Sequence, residues 1–160
     1  MADDREGPMM SQSPYRKATR GDAASIAAVA AEIRGELGEA SGLFGPMTPE
    51  GVAERLAGYG EKGGMFVCEG DEGLCGFAAL EPDPREERCA VAGVWLLPSA
   101  RRQGRGRWLA LMAVDFARAA GYAKVRGTVP AGNEAALSFF SEIGAMAQVV
   151  GGDMQYELPL

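Results

Sequence analysis

Histidine is absent from this 160-residue chain, which removes every mechanism that needs an imidazole base or an imidazole metal ligand. No apolar run approaches the roughly 18–20 residues of a membrane-spanning helix. The opening stretch, MADDREGPMM, is acidic and lacks the apolar core of a secretory signal. Cysteine is scarce and odd in number. Cys68, Cys75 and Cys89 have no C-x-x-C spacing and lie in or beside apolar, strand-like segments, where a thiol behaves as a small hydrophobe. Inert core thiols in a reducing compartment are therefore expected. Basic charge is also short, with 16 Lys and Arg against 22 Asp and Glu for a net charge of −6. That balance argues against a general nucleic-acid coat protein. What these absences leave is a soluble cytoplasmic domain with neither a membrane nor a nucleic acid as partner.

The composition that remains, 47% apolar and 24% charged, is that of an ordinary globular protein, and the length suits one domain. Residues 1–13 are polar and aperiodic and read as a loose tail, with residues 14–160 as a single domain. Tyr15–Thr19 can form a first strand, and Asp22 is placed to cap a helix carrying Ile26, Val29, Ile33 and Leu37. A loop over Gly38–Met47 leads to Thr48 and Pro49, an N-cap and first helical position for a second helix with Val52, Leu56 and Tyr59 inward.

Met65–Glu69 and Leu74–Leu80 flank a turn and read as a hairpin. Cys89–Leu97 is a nearly continuous apolar strand, in which Gly93 suggests a bulge or a close backbone approach. A helix over 105–120, with Trp108, Met112 and Phe116 as its core stripe and Leu109 beside them, precedes a strand at Lys124–Val129. Asn133 can then cap a helix that ends at Gly144, and Ala145–Val150 and Met154–Leu158 form a last hairpin. The order β-α-α-β-β-β-α-β-α-β-β predicts an α/β protein with a mixed sheet and helices on both faces.

Charge is uneven along this order. Residues 1–98 hold 9 basic and 17 acidic side chains, residues 99–160 hold 7 and 5, and Arg101, Arg102, Arg105 and Arg107 fall in an acid-free run. That run follows the apolar strand and opens a helix. Unpaired N–H groups and the positive end of the helix dipole favour an anion there. Gly104 and Gly106 let a phosphate approach the backbone, and the arginines add charge-assisted bonds. A pyrophosphate site is the physical expectation. The Walker loop fails for want of its Lys-Ser/Thr ending, and the Rossmann fingerprint for want of its third glycine.

Arg101-Arg102-Gln103-Gly104-Arg105-Gly106 does fit R/Q-x-x-G-x-G/A at every fixed position, and so resembles the GNAT family of N-acetyltransferases. Asn133-x-x-Ala136-Leu137-x-Phe139-Phe140-x-x-x-Gly144 is similar to a second segment of that family, N-x-x-A-x-x-F-Y-x-x-x-G. The resemblance implies a mostly antiparallel, twisted sheet of about seven strands with a splayed central pair. It implies acetyl-CoA as co-substrate and no metal. By the same resemblance, residues 101–106 (Arg101, Arg102, Gln103, Gly104, Arg105, Gly106) would hold the pyrophosphate. Val94, Leu96 and Leu97 would bond the pantetheine arm, and the Leu96 N–H would polarise the thioester carbonyl. Asn133 would bond that arm, cap its own helix, or both. Arg105 stands either in solvent or at the 3′-phosphate.

The implied reaction is direct attack of an amine on the thioester, with both substrates bound together. Two positions depart from the family pattern. Phe140 replaces a tyrosine that commonly protonates the departing thiolate; it can still pack against the pantetheine but carries no hydroxyl. Ser138, Ser141 and Tyr156 are substitutes by residue type only. The strand Cys89–Leu97 contains no acid, so Glu81 at the end of the preceding strand is the candidate base, with Glu36, Glu39 and Asp83 in loops that would face the acceptor. Trp95 lines the acceptor pocket or packs. The expected function is acetyl transfer to a primary amine, a small molecule in the first instance. A protein lysine or N-terminus, or a non-catalytic CoA-binding sensor, are the alternatives. The oligomeric state is left open, a homodimer included.

Overall fold

The computed structural model describes residues 13–129, 146–150 and 153–160. The tail over 1–12, the expected helix over 133–144, and with them Asn133, Ser138, Phe140 and Ser141, lie outside the described residues. Among the described residues seven strands and three α-helices follow one another, with three short 3-10 turns between them: β1 Tyr15–Lys17, α1 Ala23–Leu37, α2 Pro49–Gly58, β2 Gly64–Gly70, β3 Gly73–Pro82, β4 Cys89–Leu96, α3 Arg105–Ala119, β5 Lys124–Val129, β6 Met146–Val150 and β7 Asp153–Pro159. The strands form one seven-stranded sheet in the order β1-β2-β3-β4-β5-β7-β6. β4 and β5 are its parallel neighbours, joined across α3, and every other pairing is antiparallel. No helix among the described residues is long and apolar enough to cross a membrane.

Alternation along the strands divides the core in two. One face buries Met65, Val67, Phe77, Ala79 and Trp95 under Ile26, Ala30 and Ile33 of α1 and Val52 of α2. The other buries Phe66, Ala78, Leu80, Ala90 and Val125 under α3.

Four local expectations are corrected. Asp22 stands at the N-cap of α1 as expected but makes no capping bond with its side chain; its carboxylate accepts from the Arg16 guanidinium at 2.8 and 2.9 Å and from the Thr19 backbone N–H at 2.8 Å. β1 ends two residues early, at Lys17. The inner stripe of α3 is Leu109, Ala113 and Ala117, one position on from the large residues, and Trp108 is 56% exposed. Small side chains let the helix lie close to the sheet, while Met112 and Phe116 pack at its margin. Gly93 holds no bulge, because the β3–β4 register runs unbroken from Pro82↔Ala90 to Gly76↔Leu96. What requires glycine there is a side chain: a β-carbon at 93 would collide with the Trp95 indole.

Candidate functional site

β4 and β5 touch over three residue pairs only, Cys89↔Lys124, Ala90↔Val125 and Val91↔Arg126. Beyond them β5 stays paired with β7 as far as Val129, while β4 stays with β3. The two central strands therefore splay from Ala92 onward, and among the described residues β4 has a free edge in the middle of the sheet.

Two hydrogen bonds fix which backbone groups lie on that edge. Asp83 N–H donates to the Cys89 carbonyl and Leu97 N–H to the Cys75 carbonyl, both at 2.9 Å. In an antiparallel ladder the groups alternate sides, so residues 89, 91, 93, 95 and 97 face β3. Ala92, Val94 and Leu96 then direct their N–H and C=O groups into the opening. Beneath it lies an apolar crevice whose walls include Ala92 and Val94 of β4, Ala110 and Val114 of α3, Gly127 of β5 and Tyr156 of β7.

The loop after β4 closes the top of the opening. Pro98–Ala100 makes a single helical turn, and Gly104 stands at the N-cap of α3 with φ +79°. A β-carbon on Gly104 would meet nothing within 4 Å, so glycine is needed here for the left-handed backbone and not for space. Arg102 shares that backbone region at φ 63°. The N–H groups of Arg105, Gly106 and Arg107 open the helix and have no partner within it.

The arginines divide by what they touch. Arg101 donates from Nε to the Leu96 carbonyl at 3.0 Å and from both terminal nitrogens to Glu36, at 2.8 and 2.9 Å. That pair holds the Glu36 carboxyl below its usual range. Arg105 turns away from the opening, its Nε on the Gln103 amide oxygen and its Nη1 3.1 Å from the Cys68 sulfur. Gln103 also donates to the Ser99 carbonyl. Arg102 and Arg107 are exposed and make no ion pair among the described residues. Arg107 is the cation that motif reasoning did not single out; its signal is the acid-free basic run, not the glycine spacing.

Glu81 stands on β3 opposite Val91, on the face that carries α1 and α2. Its Oε2 accepts from the Tyr59 hydroxyl at 2.7 Å, from Arg55 Nε at 3.1 Å and from a second Arg55 nitrogen. Burial, followed by the bond to this carboxylate, pushes the Tyr59 phenol up, so Tyr59 remains a donor. Arg55 also donates to the Phe44 carbonyl at 2.8 Å, tying the 38–47 segment to β3. Glu81 and Leu96 are not brought together: five residues of strand separate them, about 17 Å.

Asp83 does not face an acceptor. Its side chain is fully buried and is bonded by Arg126 at 2.6 Å and by the Arg85 backbone N–H. Glu36 is committed to Arg101. Trp95 packs, stacked on Phe77 at 5.1 Å with its indole N–H on the Ser41 carbonyl. Tyr156, raised above by residue type alone, is buried against the crevice.

Residues 39–145 match the family described as Acetyltransferase (GNAT) family. No curated protein matches the chain in sequence. Among solved structures, a ribosomal-protein-alanine N-acetyltransferase from Brucella melitensis aligns with a TM-score of 0.76 at 19% identity, over 91% of this chain and 99% of the other. PaiA N-acetyltransferase from Thermoplasma acidophilum, in complex with coenzyme A, gives 0.76 at 19% over 91% and 98%. A phosphinothricin acetyltransferase from Sinorhizobium meliloti, in complex with acetyl-CoA, gives 0.72 at 19% over 91% and 87%.

Proposed function

The chain belongs to the GNAT family of acetyltransferases, and we propose that it moves the acetyl group of acetyl-CoA to a primary amine of a small molecule. The observation that carries this reading is the free β4 edge leading into a helix N-terminus whose N-cap is a left-handed glycine. Such an edge offers a chain of amides both donors and acceptors, and such a terminus favours a diphosphate. These features fit the co-substrate: unpaired N–H groups, an open backbone at Gly104 and two uncommitted cations, Arg102 and Arg107. Gly104 and Gly106 would hold the diphosphate through the backbone, with Arg101 and Gln103 fixing the shape of the loop. Val94 and Leu96 would bond the pantetheine arm, with Leu97 continuing the strand. Acetyl-CoA supplies a thioester that an amine can attack directly.

The chain's own part is to orient, to polarise and to take a proton. The Leu96 N–H, at the end of the free edge, is the proposed donor to the thioester carbonyl. One preorganised donor of that kind contributes about 3–4 kcal/mol. An alkylammonium has a pKa near 10, so the acceptor must lose a proton before attack. Glu81 remains the proposed base. At about 17 Å from Leu96 it lies beyond the reach of one bridging water, so the proton would reach it along a chain of several waters, with Oε2 anchored by Arg55 and Tyr59. A small acceptor is supported by the 38–47 segment, which Arg55 and Trp95 tie down and whose Phe44 ring lies 5.5 Å from that of Trp95.

The test is acceptor-dependent release of coenzyme A, measured with a panel of small amines and, in parallel, with peptides bearing free N-termini or lysines. Turnover with a small amine is expected; turnover confined to peptides would overturn the choice of acceptor, and coenzyme A binding without any turnover would overturn the enzymatic reading. In the same assay Glu81→Gln should lower turnover near neutral pH while leaving coenzyme A affinity unchanged, and an unaltered pH–rate profile would remove Glu81 as base.

A further inference from the structure

Two of the three cysteines meet because of one irregularity in the sheet. The β2–β3 register steps from Cys68↔Gly76 to Glu69↔Leu74, leaving Cys75 as the extra residue of a bulge. Along β3, Leu74, Phe77 and Ala79 pack toward α1 and α2, while Cys75, Ala78 and Leu80 pack toward α3. Regular alternation would give Cys75 the same face as Phe77, so the bulge is what turns its thiol to the other side. There its Sγ lies 3.4 Å from the Sγ of Cys68.

The pair is not a plain hydrophobic contact. The guanidinium of Arg105 sits 3.1 Å from the Cys68 sulfur, and Tyr15 stands opposite Cys68 on β1. A guanidinium at that distance stabilises negative charge on the sulfur as it reacts. Cys75 carries no such cation within bonding distance; burial and its bond to Cys68 push it up to about 11, which leaves it the protonated partner. Cys68 itself is buried, but Arg105 and Tyr15, the side chains against it from outside the strand pair, are both half-exposed. A swing of either opens a path for a molecule as small as hydrogen peroxide.

We propose that Cys68 and Cys75 form an oxidation site, at which a peroxide converts the two thiols into a cross-strand disulfide. The Cys68 thiolate attacks one peroxide oxygen and breaks the O–O bond, giving a sulfenic acid; the departing hydroxide takes up a proton and leaves as water. The Cys75 sulfur then attacks the Cys68 sulfur and displaces the hydroxyl, which leaves with the Cys75 proton as a second water. Two thiols are oxidised by two electrons and one peroxide is reduced. Cys89, whose Sγ contacts the Ala90 carbonyl on β4, takes no part and serves as an internal reference.

The experiment is peroxide treatment of the folded full chain, followed by denaturation, alkylation and peptide mapping. The expected result is one alkylatable thiol, Cys89, and a linked peptide that joins Cys68 to Cys75 with the loss of two hydrogens. Cys75→Ser should stop at a Cys68 sulfenic acid that a dione probe captures. Arg105→Gln should slow the oxidation severalfold, because it removes the cation beside the Cys68 sulfur. Three alkylatable thiols after treatment, oxygen added to Cys68 and Cys75 without a link, or an unchanged rate in Arg105→Gln would each overturn the proposal.

Discussion

Gly104, in the proposed phosphate loop, has its part set by backbone conformation and not by contact. Its φ of +79° lies where side chains are strained, and the space around it is open. Gly104→Glu therefore adds both backbone strain and a carboxylate at the start of α3, where the N–H groups favour anions. Calorimetry should show coenzyme A binding lost in that variant, and unchanged affinity would refute the phosphate-loop assignment.

Asp22 gives a second prediction at this scale, one of stability. The Arg16 guanidinium, with the Thr19 N–H behind it, holds the Asp22 carboxyl down to about 2. A carboxyl lowered on folding contributes stability above its unfolded value near 4, and that contribution is lost as pH falls through 2. Asp22→Asn should cost about 1–2 kcal/mol at pH 7 by urea unfolding. The difference from the unsubstituted protein should shrink between about pH 4 and 2, and a constant difference across that range would count against the ion pair.

Among the elements, α3 joins the site to the core. Its inner stripe is Leu109, Ala113 and Ala117, and the alanines set how closely the helix approaches β3 and β4. Ala113→Leu forces extra volume into a contact that is 2% exposed, and should lower stability by about 1–3 kcal/mol in urea unfolding. Because Ala113 also borders the crevice, coenzyme A affinity should fall in parallel. Sequence periodicity alone favoured Trp108, Met112 and Phe116, since the larger apolar residues give the stronger signal at a spacing of four. An alanine stripe beside them carries little hydrophobic contrast, and only packing against the sheet separates the two. Trp108→Ser, on the exposed side, should change stability by less than about 0.5 kcal/mol.

Over the whole molecule, charge is segregated relative to the opening. Arg102 and Arg107 stand exposed at its upper end, whereas Glu81, Asp83, Glu86 and Glu157 sit toward the opposite end of β4 and β5, engaged with Arg55, Arg85, Arg126 and Lys124. At the proposed site a tetra-anionic ligand such as coenzyme A would be met mainly by exposed cations, whose attraction salt screens within about 8–10 Å. Affinity should fall severalfold between low salt and about 0.5 M salt, measured by calorimetry. A salt-independent affinity would place the burden on backbone N–H groups alone.

The sequence by itself determined the family and the order of the elements among the described residues, and it pointed to the proposed phosphate loop, because glycine, proline and charge at fixed spacing act on the local backbone. It also marked Leu96 as a strand residue of interest, though not the side its N–H would face. That side, the length of the free edge beyond Val91, and the division of four arginines into committed and free were decided by the tertiary structure. The same is true of Cys75, which a one-residue bulge turns onto the face of Cys68. Each depends on register between strands, and register is set by contacts between residues far apart in the chain, which local pattern does not encode.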